Sequence, residues 1–186
     1  MLEVIQSMDE AILLFIQENL RFAWLNGPMI FAGTLANHGI FWLALGVLLT
    51  VIPKTRKFGI YALASIAFCF LFNNLLIKNL VARPRPYTHI PELVMLMPLP
   101  GDFSFPSGHS CASFAAAGSF LWNCRGKWNW LRWSALALAI WIAYSRLYVG
   151  VHYPTDVLVG SAIGLLGSWI VCKYGPVLVD KLRKRT

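Results

Sequence analysis

Two histidines, two arginines, a lysine and an aspartate take the defining positions of three short stretches of this chain. They are Lys78-x6-Arg85-Pro86, Pro106-Ser107-Gly108-His109 and Ser145-Arg146-x5-His152-x3-Asp156. A guanidinium is a planar fork that grips the oxygens of an oxyanion in pairs, and an ammonium adds a compact point charge. The Pro106-Ser107-Gly108-His109 turn opens a helix, whose free N–H groups and positive dipole end favour an anion. There Ser107 adds a hydroxyl and Gly108 permits close backbone approach. Such a set can hold a phosphate, whose transfer needs positioning and charge neutralisation more than covalent help from the protein. One histidine can attack the phosphorus and the other can protonate the leaving oxygen. Asp156, one turn into a helix opened by Pro154, can accept the proton of one imidazole nitrogen and leave the other free. The residues alone support two catalytic histidines without saying which one attacks.

The elements that must carry these residues are apolar. Of 186 residues, 58% are hydrophobic and 13% are charged, with a mean hydropathy of +0.60. That composition implies a polytopic membrane protein rather than a soluble domain, and the length suits one domain, residues 1–186. The fold class expected is all-α, a helix bundle of about five transmembrane helices. Each run lies near the roughly 20 apolar residues that cross a bilayer. The runs are about Pro28 to Ile52, Phe58 to Ile77, Ser107 to Trp122, Leu131 to Tyr148 and Pro154 to Tyr174. Residues 1–20 precede them as an amphipathic helix suited to the membrane interface, with Val4, Ile5, Met8, Ile12, Phe15 and Ile16 at helical spacing and Asp9 and Glu10 on other faces. The connection 79–105 is punctuated by prolines yet keeps an apolar stretch, Leu93 to Met97, and reads as a cover over the site.

Charge placement sets the orientation. Eleven of the sixteen basic residues follow the first, third and fifth runs: Lys54, Arg56, Lys57, Arg125, Lys127, Arg132, Lys173, Lys181, Arg183, Lys184 and Arg185. Seven of the eight acidic residues lie on the opposite side. The positive-inside rule makes the basic side, with the C-terminus, cytoplasmic, and it puts all three motifs and the 79–105 loop outside. The net charge of +8 is thus spread over membrane-flanking segments, which excludes a nucleic-acid partner.

In this order, on a chain this apolar, the three motifs resemble the signature of the type 2 phosphatidic acid phosphatase (PAP2) family, membrane lipid phosphatase branch. The resemblance covers about residues 78 to 156 without substitution at the defining positions. It implies catalysis by His152 as nucleophile, forming a phosphohistidine, with Asp156 as its orienter and His109 as acid and then base. It implies that Lys78, Arg85, Ser107, Gly108 and Arg146 bind the substrate phosphate. The expected substrate is a lipid phosphate in the cell membrane, foremost undecaprenyl diphosphate converted to the monophosphate. Phosphatidate, phosphatidylglycerol phosphate and lipid A phosphates are the alternatives, and a lipid phosphotransferase or an anion transporter stands further off. No carboxylate cluster suited to Mg²⁺ lies near the motifs, so no metal and no cofactor is expected.

The remaining polar residues read more plainly. Arg83 is expected to snorkel to the interface, and Asp102 to orient the Ser107 turn. Asn37 and His38 interrupt the first run and suit a hydrogen-bonded network. Asn73 and Asn74 suit bonds between helices, and most tryptophans, Trp42 among them, suit an interface belt. Cys69, Cys111, Cys124 and Cys172 have no metal-ligand spacing and are expected to pack.

Overall fold

The structure, a computed structural model, describes residues 2–183, with the backbone alone for residues 2, 38 and 178–183. Of the expected cytoplasmic cluster, Lys184 and Arg185 lie outside the described residues, as does the side chain of His38. The chain is all-helical, and no strand occurs among the described residues. Its helices are α1 (Leu2–Leu20), α2 (Ala23–Leu35), α3 (Ile40–Val51), α4 (Arg56–Cys69), α5 (Lys78–Val81), α6 (Gly108–Asn123), α7 (Asn129–Tyr148) and α8 (Pro154–Arg183).

The run from α4 to α5 is continuous but not uniform. Residues Phe70–Ile77 form a π-helical stretch, in which the Lys78 N–H reaches back to the Asn73 carbonyl. Such wide turns re-aim the side chains that follow them. Helices α2 and α3 are separated by a 3₁₀ turn at Asn37–Gly39, where Gly39 adopts a left-handed φ of +69°. Glycine takes that conformation without the strain an L side chain meets there.

Helix α6 is the centre of the bundle. Ten of its sixteen residues are buried, from Ser110 to Phe120, and nearly all are Ser, Ala, Gly or Cys. It packs against α8, α7 and α4. Small residues let helix backbones approach closely where no hydrophobic effect drives association. A Cβ on Gly164 of α8 would lie 2.4 Å from the Cys111 carbonyl oxygen, and one on Gly160 would lie 2.5 Å from that of Ser107. The α8 glycines are therefore what bring the first turn of α6 onto the first turn of α8. There the Ser107 N–H donates to the Asp156 carbonyl at 3.0 Å.

Of the five expected spans, two are long and apolar enough to cross a bilayer by themselves, Arg56–Thr88 and Pro154–Val177. Helices α2 and α3 make a third if their 57° bend is counted within one span. Helix α6 has only 16 residues, and a helix surrounded by other helices has no need of a lipid-compatible surface. Trp42, expected at an interface, is instead buried, with its indole N–H donating to Ser113 Oγ at 2.9 Å. Asp9 departs from expectation too. It is 1% exposed, while Val4, Met8 and Phe15 of the same helix face outward.

If the α6–α8 contact holds the bundle together, Gly164→Ala should lower the thermal unfolding midpoint in detergent. The expected cost is about 1–3 kcal/mol, typical of overpacking. Gly164→Leu should yield no folded protein, and the same pair of changes at Gly27, which has open space around it, should be tolerated.

Candidate active site

Six of the eight motif residues expected to bind phosphate or take part in catalysis line one cavity of about 830 Å³. They are Lys78, Arg85, Gly108, His109, Arg146 and His152. Each arrives on a different device. Lys78 follows the π-helical stretch, Arg85 precedes a short 3₁₀ turn at Pro86–Thr88, and Gly108 and His109 open α6. Arg146 ends α7, and His152 lies in the turn before α8. The other two stand behind the wall. Ser107 caps α6, its Oγ accepting from the Ser110 N–H at 3.4 Å and from the Ser110 hydroxyl at 3.1 Å. Asp156 lies beneath His152.

His152 is 2% exposed. Its Nδ1 is 3.4 Å from Asp156 Oδ2, and its Nε2 is 3.4 Å from Arg85 Nη1. A carboxylate at one nitrogen and a guanidinium at the other assign the tautomer: Nδ1 carries the proton and Nε2 keeps its lone pair. Burial pushes the imidazolium down to about 4, although the bond to Asp156 opposes that shift. The ring is therefore neutral, as a nucleophile must be. Asp156 Oδ2 also accepts from the Ser104 hydroxyl and, at 2.9 Å, from the Tyr153 N–H.

The three cations are handled unequally. Lys78 Nζ and Arg85 Nη2 each lie 2.5 Å from a different oxygen of Asp102. Burial disfavours the Asp102 carboxylate, but the Lys78 bond and the Arg85 charge outweigh it and hold the group at about 2. The expectation that Asp102 orients the Ser107 turn is thus corrected: it neutralises two of the cavity's cations from a half-exposed loop. Arg146, 1% exposed, has no carboxylate within ion-pair distance among the described residues. Its partners are Ser145 Oγ, at 3.2 Å from both Nε and Nη2, and the Met97 sulfur. A buried cation so poorly compensated costs several kcal/mol, on the order that an incoming anion can recover. Space for its fork exists because α2 has a glycine there, and a Cβ on Gly33 would lie 1.2 Å from Arg146 Nη2.

Four further residues were not assigned to the site from sequence. Arg83, expected to snorkel, instead pairs with Asp156 Oδ1 at 2.9 Å and Asp9 Oδ2 at 2.8 Å. The opposing charge lies inside the protein, so the guanidinium turns inward. Ser104 bonds Asp156, as above. Asn37 Oδ1 lies 3.0 Å from His109 Nε2, which fixes that ring against the α2–α3 break. Asn74 lies beside Gly108, where an added Cβ would meet its amide at 3.3 Å, while Asn73 bonds Asn74 rather than another helix. Signals for Asn37 and Asn74 were present, as polar residues inside apolar runs, but their partners were not readable.

The cavity walls change character away from the cations. Ala36, Gly39, Leu43, Ile66, Ala67 and Phe70 complete them, so a charged end and an apolar end share one space. The connection 82–107 closes the charged end. It is stitched down by the Arg21 fork, which donates to the carbonyls of Val94 and Tyr148 at 2.6 and 2.7 Å. The apolar stretch Leu93 to Met97 is explained by its packing on Tyr148, Val149, Val151 and Tyr153.

With fold and site together, the family follows. The chain belongs to the PAP2 superfamily, whose family model matches residues 58–179 and so takes in all three motifs. It is an integral membrane protein of the lipid phosphatase kind, a phosphoric monoester hydrolase. It is 35% identical over 150 residues to an undecaprenyl-diphosphatase of Sulfolobus acidocaldarius, covering 81% of this chain and 69% of that protein. It also resembles the crystal structure of LpxE from Aquifex aeolicus, with a TM-score of 0.74, 27% identity, and coverage of 87% of this chain and 93% of that one. A transmembrane PAP2-type phosphatidylglycerolphosphate phosphatase from Bacillus subtilis matches with a TM-score of 0.74 and 29% identity, covering 93% of this chain and 87% of that one.

The Gly33–Arg146 contact gives a sharp test of the anion site. Gly33→Ala must expel the guanidinium while leaving helix α2 otherwise intact. Losing charge-assisted bonds worth about 1.5–3 kcal/mol predicts at least a ~10-fold weaker inhibition by vanadate, a phosphate mimic, in protein of near-parental thermal stability. Unchanged vanadate inhibition would remove Arg146 from the anion site.

Proposed function

We propose that the protein hydrolyses a lipid phosphate or diphosphate monoester through a phosphohistidine at His152, and that its substrate is undecaprenyl diphosphate. The observation that carries the reading is the His152 ring, bonded to Asp156 at one nitrogen and facing the three-cation cavity with the other. Nε2 attacks the phosphorus, a P–N bond forms, and the P–O bond to the leaving group breaks in line. The electron pair leaves on that oxygen, which takes a proton from His109. His109 then removes a proton from water, whose oxygen attacks the phosphohistidine. Inorganic phosphate departs and His152 returns to its neutral state. Lys78, Arg85, Arg146 and the α6 N-terminus hold the phosphoryl oxygens throughout, with Gly108 giving them backbone approach and Ser107 fixing the turn.

The apolar end of the cavity supports a lipid as the carrier of the phosphate. The undecaprenyl-diphosphatase relative supports a polyprenyl diphosphate. The basic residues that follow α3, those between α6 and the first turn of α7, and those from Lys173 onward support an outside site with a cytoplasmic C-terminus. That orientation goes with five spans: the bent α2–α3 pair, the α4–α5 run, α6, α7 and α8, with α1 in the interface and one domain throughout. A second reading, a glycerophospholipid phosphate, is favoured by the overlay on the phosphatidylglycerolphosphate phosphatase.

Purified protein in one detergent, offered polyprenyl diphosphate, phosphatidylglycerol phosphate and phosphatidate, should release phosphate from the first with a kcat/KM at least ~10-fold above the others, a difference of about 1.4 kcal/mol. A reversed order would transfer the assignment to the glycerophospholipid. Turnover is expected to survive EDTA, and a cysteine at Glu92 is expected to react with an impermeant reagent in intact cells. Loss of turnover in EDTA with recovery in Mg²⁺, or labelling only in broken cells, would contradict those two parts.

A further inference from the structure

We propose that Arg83 and Asp9 are positioning residues, through which the N-terminal helix α1 holds the Asp156 carboxylate and, by way of it, the His152 imidazole. The inference rests on the assignment of His152 and Asp156 above, and adds two residues that are not defining positions of any of the three motifs.

The contacts form a chain from α1 to the attacking ring. Arg83 Nη1 donates to Asp156 Oδ1 at 2.9 Å and to Thr155 Oγ1 at 2.8 Å. Its Nη2 donates to Asp9 Oδ2 at 2.8 Å and to Gln6 Oε1 at 2.5 Å. The guanidinium carbon lies 3.9 Å from the centre of the Tyr153 ring, which fixes the plane of the fork. Asp9 then closes the loop back to α8, accepting from the Thr155 N–H at 3.0 Å and the Thr155 hydroxyl at 2.5 Å. Both Asp156 oxygens are thereby committed: Oδ1 to Arg83, and Oδ2 to Ser104, Tyr153 and His152. A carboxylate tied at both oxygens cannot rotate, so the imidazole that it orients cannot either.

Arg83 is not a further phosphate ligand. It does not line the cavity that holds Lys78, Arg85 and Arg146. It faces a separate space of about 350 Å³, shared with Gln6, Glu10, Pro84, His89 and Tyr153. Nor is the cluster a good device for stability alone. Buried ion pairs tend to contribute less than well-packed apolar groups of the same volume, whereas they specify geometry well. An arginine suits the place because one planar fork must reach two carboxylates and stack on a ring, which an ammonium cannot do.

The test uses the full chain in detergent with p-nitrophenyl phosphate, a substrate whose leaving group needs little protonation, so that attack by His152 dominates. Sites are counted by vanadate binding, and kcat is expressed per site. Because misplacing a reacting group by about 1 Å can cost ~10²-fold, Arg83→Gln should lower kcat per site by roughly that factor. KM and vanadate affinity should stay within about threefold. Arg83→Lys, able to satisfy one carboxylate but not both, should recover about a tenth of the parental rate. Asp9→Asn, which leaves Arg83 in place without its second anchor, should lose about tenfold and serves if the Arg83 variants do not fold. A kcat per site within twofold of the parent in the folded variants would overturn the proposal. So would a rise in KM and a loss of vanadate affinity in proportion to the fall in rate, which would make Arg83 a phosphate ligand. His152→Ala and Asp156→Asn run alongside keep the two levels apart. If these are inactive while Asp9→Asn and Arg83→Gln are not, only the positioning role fails. If His152→Ala is active, the assignment beneath it fails.

Discussion

Positive charge is crowded into one cavity of an apolar helix bundle, and the rest of the structure is organised around its cost. Lys78, Arg85 and Arg146 are all buried at its wall. Like charges so placed repel one another, and each has lost most of its hydration. In the free protein Asp102 offsets two of them from a half-exposed loop, and the third has no carboxylate partner among the described residues. Under the proposed function, a phosphate bearing two negative charges is the species that completes this balance. Asp102 occupies Lys78 and Arg85 from the 82–107 connection, so under the proposed function that connection takes part in the binding event.

The same crowding explains the division of labour between wall and foundation. The cations and imidazoles face the cavity, with Asp102 among them in its wall, while the Asp156 carboxylate stands behind. Asp156 supports His152 from beneath, and Asn37 holds His109 from the α2–α3 break. That arrangement needs α6 and α8 to start side by side, since His109 opens one and His152 precedes the other. Glycines at 160 and 164, together with the small residues of α6, make that approach possible. Packing that in a soluble protein would be driven by large apolar side chains is here carried by close backbone contact.

Much of this was legible in the sequence. The three motifs, the helix opened by Gly108, the all-helical class and the long apolar runs at α4 and α8 all follow from residue types and spacing. Lys78, Arg85, His109, Arg146 and His152 do converge, and they converge on one cavity. What escaped depends on partners distant in the chain. Arg83 lies between Ala82 and Pro84 beside an apolar run, and nothing local distinguishes a snorkelling arginine from one paired to Asp9, 74 residues away. Asp9 lies on an amphipathic helix, whose polar residues are normally solvated, and Trp42 matched an interface belt until Ser113 accepted its N–H. The span count is less legible than the helical class, because α6 is apolar by virtue of small residues and has 16 residues, a pattern that marks a buried helix as readily as a crossing one. The π-helical stretch before Lys78 had no local signature beyond Asn73 and Asn74.

The central claim is that phosphate passes through His152 Nε2, and it is tested most directly by trapping the intermediate. Protein mixed with a substrate radiolabelled in the transferred phosphate, quenched in alkali within milliseconds and digested, should carry label on the peptide containing residue 152. That label should be stable to base and labile to acid, as a P–N bond requires. It should be absent from His152→Ala, and it should accumulate in His109→Gln, where the water that hydrolyses the intermediate lacks its base. Label that withstands acid, or that maps to His109 or to Ser145, would contradict the account.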